Sequence, residues 1–199
     1  MTITTTMPPA LAQRLAAAID TPRLLLEPMS EHHAPAFFAP LQSDEALYRW
    51  ISMDRPKSLE ALRAHWRRIE QSGRISPCQG FAWPAWALRR KADGQYLGRV
   101  DAEITPALEA SNFGYYLFSP HWGQGYASEA AQAATQALAQ RGVRRLVATV
   151  TVGNGASARV LQKAGFVFTR VLPGNDCVGG VAVDDEEYVK VISGLGESC

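Results

Sequence analysis

The chain has 199 residues, 47% of them hydrophobic and 20% charged, which suits one domain with a substantial core. Twenty Lys and Arg against nineteen Asp and Glu leave a formal charge of +1, without the basic excess of a nucleic-acid binder. No apolar run reaches the ~18–20 residues of a membrane span.

The opening MTITTTMPPALAQRLAAAID lacks a basic end followed by an apolar core, so it does not read as a secretory signal. Cys78, Cys177 and Cys199 are scattered and odd in number, forming neither a disulfide framework nor a metal-binding pair. The expectation is a cytoplasmic protein with no metal. Residues 1–20 are expected to be a tail, part helical over 10–19, before a single domain over 21–199.

From there the elements are taken in order. Arg23–Glu27 carries Leu24, Leu25 and Leu26 and predicts a first strand. Ser30 is a suitable N-cap for a helix through Phe38. Over Ser58–Gln71, Leu59, Leu62, Trp66 and Ile69 recur every three or four residues, which predicts a helix. Gly73–Gly80 reads as a loop. Strands are expected over Phe81–Arg89, Tyr96–Ile104 and Asn112–Leu117, the first two joined by an Ala92-Asp93-Gly94 turn. Pro84, between Trp83 and Trp86, marks an edge or a bulge. Ser128–Arg141 predicts a helix, with Glu129 in its first turn and Gly142 after its end. Arg144–Val152 reads as a strand, Ser157–Ala164 as a helix ended by Gly165, and Phe166–Val171 and Glu187–Ile192 as strands. Asp184–Glu187 is expected to be a solvated loop. An antiparallel meander running into a β-α-β-α-β half implies an α/β chain with a mixed sheet and helices on both faces.

The segment with chemical content is Tyr115–Ala130, YYLFSPHWGQGYASEA, where a strand ends, Gly123-Gln124-Gly125 follow, and a helix begins. Glycines let backbone approach a ligand closely, and the free N–H groups of a helix start attract anions. The segment lacks the Gly-Lys-Ser/Thr of a P-loop, and Ser128 stands where the dinucleotide fingerprint has its third glycine. A tight turn that binds nothing is the alternative.

PHWGQGYASEA resembles the acetyl-CoA pyrophosphate loop of the GNAT N-acetyltransferase superfamily, with Gln/Arg-x-x-Gly-x-Gly/Ala falling on Trp122, Gly123, Gln124, Gly125, Tyr126 and Ala127. Trp122 departs from the general Gln/Arg, in the manner of the branch that contains ribosomal-protein N-terminal acetyltransferases. Phe113-Gly114-Tyr115-Tyr116-Leu117 is similar to the family's strand before the loop. Downstream, Asn154, Ser157, Lys163, Gly165 and Phe166 match its Asn-x-x-Ser…Lys-x-Gly-Phe signature.

The resemblance implies a mostly antiparallel sheet with one splayed parallel pair, and acetyl-CoA as co-substrate in the wedge. It implies direct attack by an amine, with the N–H near Leu117 polarising the thioester carbonyl. Ser157 is the candidate acid, with a helix N-cap as its other role, and Asn154 a candidate CoA contact. Glu103 is the candidate base, preferred to Asp101 on the same strand face, and water is a further candidate. His121, beside the loop, is either a CoA contact or an exposed loop residue. A protein N-terminal α-amine is favoured as acceptor over a small amine, and monomer or homodimer stays open. The reading from another class is a domain that senses acyl-CoA and transfers nothing.

Overall fold

The computed structural model describes residues 6–76 and 80–192; Cys78 and Cys199 lie outside them. The chain opens with helix α1 (Pro9–Leu15), strands β1 (Ile19–Asp20) and β2 (Leu24–Pro28), and helices α2 (Ala34–Ser43) and α3 (Leu59–Gln71). A meander follows: β3 (Ala85–Arg90), β4 (Tyr96–Ile104) and β5 (Glu109–Leu117). The last part is α4 (Tyr126–Gln140), β6 (Arg145–Thr151), α5 (Gly155–Lys163), β7 (Val167–Val178) and β8 (Val181–Val191). They build an eight-stranded sheet in the order β1-β2-β3-β4-β5-β6-β8-β7. Among the described residues only the β5–β6 pair is parallel.

Alternation along the strands divides the core in two. In β3, Trp86 and Leu88 join the cluster under α1, α4 and α5, whereas Ala85 and Ala87 join the cluster with Phe37 of α2 and Trp66 of α3. Helices therefore cover both faces, as the pattern of elements implies. The α4 face is nearly all alanine: Ala130, Ala131 and Ala134 are fully buried, which lets the helix axis lie close to the sheet. The α3 stripe of Leu62, Trp66 and Ile69 is buried as its spacing predicts, and Phe37 meets Trp66 edge-on at 5.3 Å.

Several expectations need correction. The N-terminal helix ends at Leu15, and Ile19–Asp20 pair with β2 instead, because Met7, Ala12 and Leu15 already anchor this segment in the core. Ser30 caps a short 3-10 turn, Glu31–His33, and α2 then runs past Phe38 to Ser43, carried by the buried Phe37 and Leu41 despite Pro40. The strand expected from Phe81 starts at Ala85. Pro84 has no N–H to give, and Ala82 forms only isolated bridges to Ile75 and Ile104.

The acidic run Asp184–Glu187 is no loop but the middle of β8. Its carboxylates are all engaged: Asp184 accepts from the Gly174 N–H, Asp185 from Asn175 Nδ2, Glu186 from the Tyr188 hydroxyl, and Glu187 pairs with Arg170. Gly179 and Gly180, with φ of 59° and 83°, close the β7–β8 hairpin at the two positions where such a turn requires positive φ.

Candidate active site

β5 and β6 start as neighbours and then part. Their parallel register is made only at Glu109↔Arg145 and Ala110↔Leu146, although β5 continues to Leu117 and β6 to Thr151. A cleft of about 750 Å³ fills the gap and reaches both faces of the sheet. Its lining includes Gly123, Gly125, Tyr126 and Ala127 at one end. Tyr115, Leu117, Asn154 and Ser157 lie within it, with Trp50, Met53, Arg99, Asp101 and Asn112 toward the α3 face.

At the first end, β5 leads through a 3-10 turn, Ser119–His121, to the start of α4. Gly125 is the N-cap with φ of 81°, and Gly123 has φ of 73° with open space where a Cβ would stand. The first helical hydrogen bond runs from the Glu129 N–H to the Gly125 carbonyl at 3.1 Å. The N–H groups of Gly125, Tyr126, Ala127 and Ser128 therefore have no carbonyl partner within the helix. Bare backbone, free N–H groups and the positive end of the helix dipole suit a pyrophosphate. The side chain of Gln124 is not part of this cradle; its Nε2 turns back to the Pro120 carbonyl at 3.1 Å.

The loop is held from behind. Arg23 donates Nη1 to the Gln124 carbonyl at 3.0 Å and Nε to Glu129 at 2.6 Å, and its guanidinium lies 4.5 Å from the Tyr126 ring centre. Glu129 also accepts the Arg23 N–H at 2.8 Å and the Thr21 hydroxyl at 2.7 Å. Burial pushes the Glu129 carboxyl up, but the bonds from Thr21 and Arg23 outweigh it, and the group ends below its ordinary value. Its stabilising contribution is thus present at neutral pH and lost as pH falls through that lowered value. Glu129→Ala leaves three donors without this acceptor and is expected to cost about 2 kcal/mol. Urea unfolding at neutral pH measures it; a change below about 0.5 kcal/mol would show that the latch is dispensable.

Trp122, which departs from the family's usual residue, has a place of its own: its indole N–H donates to the Leu117 carbonyl at 2.7 Å. The Phe118 N–H is donated to Leu97 on β4 at 2.8 Å, and successive N–H groups of a strand alternate in direction. The Leu117 N–H accordingly faces away from β4, toward the opening beside β6. Trp122 thus ties the glycine loop to the residue whose N–H is expected to serve as oxyanion donor, through that residue's own carbonyl.

His121 is buried, at 9% exposure, which corrects the reading of it as an exposed loop residue. Burial and the charge of Arg90 push its pKa down, so the ring is neutral at pH 7.

Asn154 caps α5, its Oδ1 accepting the Ser157 N–H at 3.1 Å. The helix starts at Gly155, two residues before the expected start, so Ser157 stands inside its first turn and is not the N-cap. Its hydroxyl lies 2.7 Å from that of Tyr115 across the cleft.

At the α3 end the structure separates the two carboxylates weighed as bases. Asp101 lines the cleft, 9% exposed, with Arg99 Nε at 3.1 Å and Trp83 Nε1 at 3.3 Å. Glu103 lies outside the lining; burial, then the charge of Asp101, raises its pKa. Trp83 is therefore the tryptophan near the acceptor end, and Trp86 is core. Tyr115, the Trp122 indole and the Arg23–Glu129 latch escape sequence reasoning. Tyr115 and Arg23 work through partners 42 and 106 residues away, and the Trp122 indole turns back on a carbonyl five residues before it; no periodic signal marks such pairs.

A split parallel strand pair with a glycine-cradled helix start at its mouth defines a mixed α/β fold with a cleft suited to an anionic ligand. The chain belongs to the GNAT acetyltransferase family: residues 23–167 match the model described as "Acetyltransferase (GNAT) domain". It is 27% identical over 179 residues to the "Uncharacterized N-acetyltransferase YoaA" of Bacillus subtilis (strain 168), covering 85% of this chain and 94% of that protein. Among solved structures, the RimL ribosomal L7/L12 alpha-N-protein acetyltransferase in complex with coenzyme A superposes with a TM-score of 0.76 at 24% identity, over 88% of this chain and 98% of that one. The ribosomal-protein-S5-alanine acetyltransferase of Vibrio fischeri gives 0.76 at 16% identity, over 89% and 97%. These two likenesses establish the shared fold.

Proposed function

We propose that this acetyltransferase moves the acetyl group of acetyl-CoA to the α-amine at a protein N-terminus, by direct attack. The observation that carries the reading is the continuity of one cleft: the free N–H groups at the start of α4, the Leu117 peptide, Ser157 and Asp101 all border it. The residues fit the co-substrate. Backbone of Gly123–Ala127 holds the pyrophosphate, with Trp122 fixing the loop against β5, and Asn154 shapes the wall near the thiol end. The thioester supplies an activated acetyl group.

Within the cleft, the Leu117 N–H polarises the carbonyl and stabilises the oxyanion as the amine attacks. Ser157 offers its hydroxyl to the departing sulfur. Asp101, fixed by Arg99 and Trp83, receives the amine and takes its proton directly or through water; Glu103 is the next carboxylate on that strand face. A nucleophile must be a neutral amine. An α-amine, with pKa near ~7.7–8.0, is neutral far more often at pH 7 than a lysine near ~10.4, which favours the N-terminal acceptor where the base is a single carboxylate. Asp176 and Asp185, also in the cleft lining, suit a cationic terminus. The RimL neighbour's name gives it a ribosomal-protein α-amine as acceptor, which supports the same class here.

The test is acetyl-CoA with a panel of N-terminal peptides, lysine peptides and small amines, followed by thiol release and product mass. Acetylation confined to α-amines is the expected result. Exclusive modification of a small amine would overturn the acceptor class, and acetyl-CoA binding with no thiol release for any amine would identify a sensor.

A further inference from the structure

The bond between Tyr115 and Ser157 joins two elements that the sheet's opening separates. Tyr115 lies on β5, Ser157 on α5, and both line the cleft. The Tyr115 hydroxyl is 2.7 Å from Ser157 Oγ and 3.0 Å from the Ser157 carbonyl oxygen.

Proton counting sorts the arrangements. A carbonyl only accepts, and each hydroxyl has one proton to give. If Tyr115 gives its proton to the carbonyl, Ser157 gives its own to Tyr115, and nothing remains for a ligand. If Tyr115 gives its proton to Ser157 Oγ, the shorter of the two contacts, the serine proton is free to turn into the cleft. A negative charge arriving there selects the second arrangement.

We propose that Tyr115 is a positioning residue for the leaving sulfur, donating to Ser157 Oγ so that the Ser157 hydroxyl donates to the developing thiolate. This rests on the acetyl-transfer reading of the cleft and adds to it the group that sets the direction of the serine proton. The bonds balance as follows. The amine nitrogen forms the C–N bond and gives its proton to Asp101 or water. The C–S bond breaks with its electron pair on sulfur, which is held by the Ser157 O–H and then takes a proton from solvent. Tyr115 and Ser157 end with the protons they began with. The Tyr115 hydroxyl is suited to this: burial pushes its pKa up to about 12, so it keeps its proton and remains a donor at neutral pH.

Chains of hydroxyls strengthen one another when the last donates to a charge. The charge exists only as the C–S bond breaks, so the effect belongs to turnover and not to binding. Tyr115→Phe is expected to lower kcat five- to twentyfold, with acetyl-CoA KM and coenzyme A affinity within twofold of wild type. In a Ser157→Ala background the same change is expected to do almost nothing, because Tyr115 acts through the serine. An unchanged kcat in Tyr115→Phe overturns the proposal. So does a full additional loss in the double variant, which would give Tyr115 a role independent of Ser157. A variant that loses its fold or its coenzyme A affinity also overturns it, by showing the bond to be structural. Absence of turnover in the wild-type protein with every acceptor is a separate result, and it removes the acetyl-transfer reading itself.

Discussion

Gly125→Asp is expected to weaken acetyl-CoA binding by at least about a hundredfold while leaving the fold in place, a loss of roughly 2.7 kcal/mol in binding. Gly125 is the N-cap of α4 with φ of 81°, so any side chain there adopts a left-handed conformation that costs about 1–2 kcal/mol. Aspartate is among the residues that visit this region most readily, and its carboxylate, beside the positive end of the helix, offsets part of that cost. That compensation is what destroys the site: an internal carboxylate takes the place meant for pyrophosphate and repels it. The added Cβ also comes within 3.3 Å of Arg23 Nη2, the guanidinium that steadies the Gln124 carbonyl.

Gly125→Ala separates shape from charge. It keeps the conformational cost and the approach to Arg23 but brings no anion, so its affinity loss is expected to be several times smaller. Titration calorimetry on both variants gives the comparison. Equal losses would attribute the effect to backbone strain alone, and full affinity in a folded Gly125→Asp variant would remove the loop from the co-substrate site.

The same region shows how far sequence reading reaches. Local chemistry is legible: β4 coincides with its predicted span, α3 and α4 fall within two residues of theirs, and the glycine loop stands between strand and helix as expected. Those features depend on neighbours a few residues away. The opening of β5 from β6 does not, because it requires two segments some thirty residues apart to be paired at one end and apart at the other. Nothing in the composition of either strand records that.

The acidic stretch of β8 is the opposite case. Asp and Glu are poor strand residues, yet cross-strand partners such as Arg170 and Asn175 make the strand possible, so tertiary contacts override propensity. Gly179-Gly180, both at positive φ, is the turn that sets the strand's start, and Asp185, Glu186 and Glu187 follow it as paired strand positions. Asp101 and Glu103 share β4 as their spacing predicts, but only Asp101 of the two lines the cleft. That depends on Arg99 and Trp83, which grip Asp101 from the same face.

Ser157→Ala is expected to lower kcat ten- to a hundredfold, with acetyl-CoA affinity and stability nearly intact. The position of the cap makes this a clean experiment. A serine at the N-cap would contribute about 0.5–2 kcal/mol to the helix, and its loss would confuse stability with turnover. Here the cap is Asn154, whose Oδ1 accepts the backbone N–H of residue 157, a bond that alanine keeps. The Tyr115 hydroxyl loses Ser157 Oγ but retains the carbonyl of residue 157 at 3.0 Å, so no buried donor is stranded. A stability change under about 1 kcal/mol is expected, the value of one exchanged hydrogen bond. Asn154→Ala should show the reverse signature in unfolding, a loss of about 0.5–2 kcal/mol through the missing cap. The size of the kcat effect follows from the leaving group. An alkyl thiol near pKa ~8.5 departs as thiolate without full protonation at neutral pH, so a hydroxyl can only ease the charge, at the low end of the ~10²–10⁴-fold range of general acid–base catalysis. Turnover is to be measured well below the melting transition, beside coenzyme A affinity. Wild-type kcat in folded Ser157→Ala would leave the hydroxyl no part in the reaction, and a fall in affinity equal to the fall in kcat/KM would make it a binding contact instead.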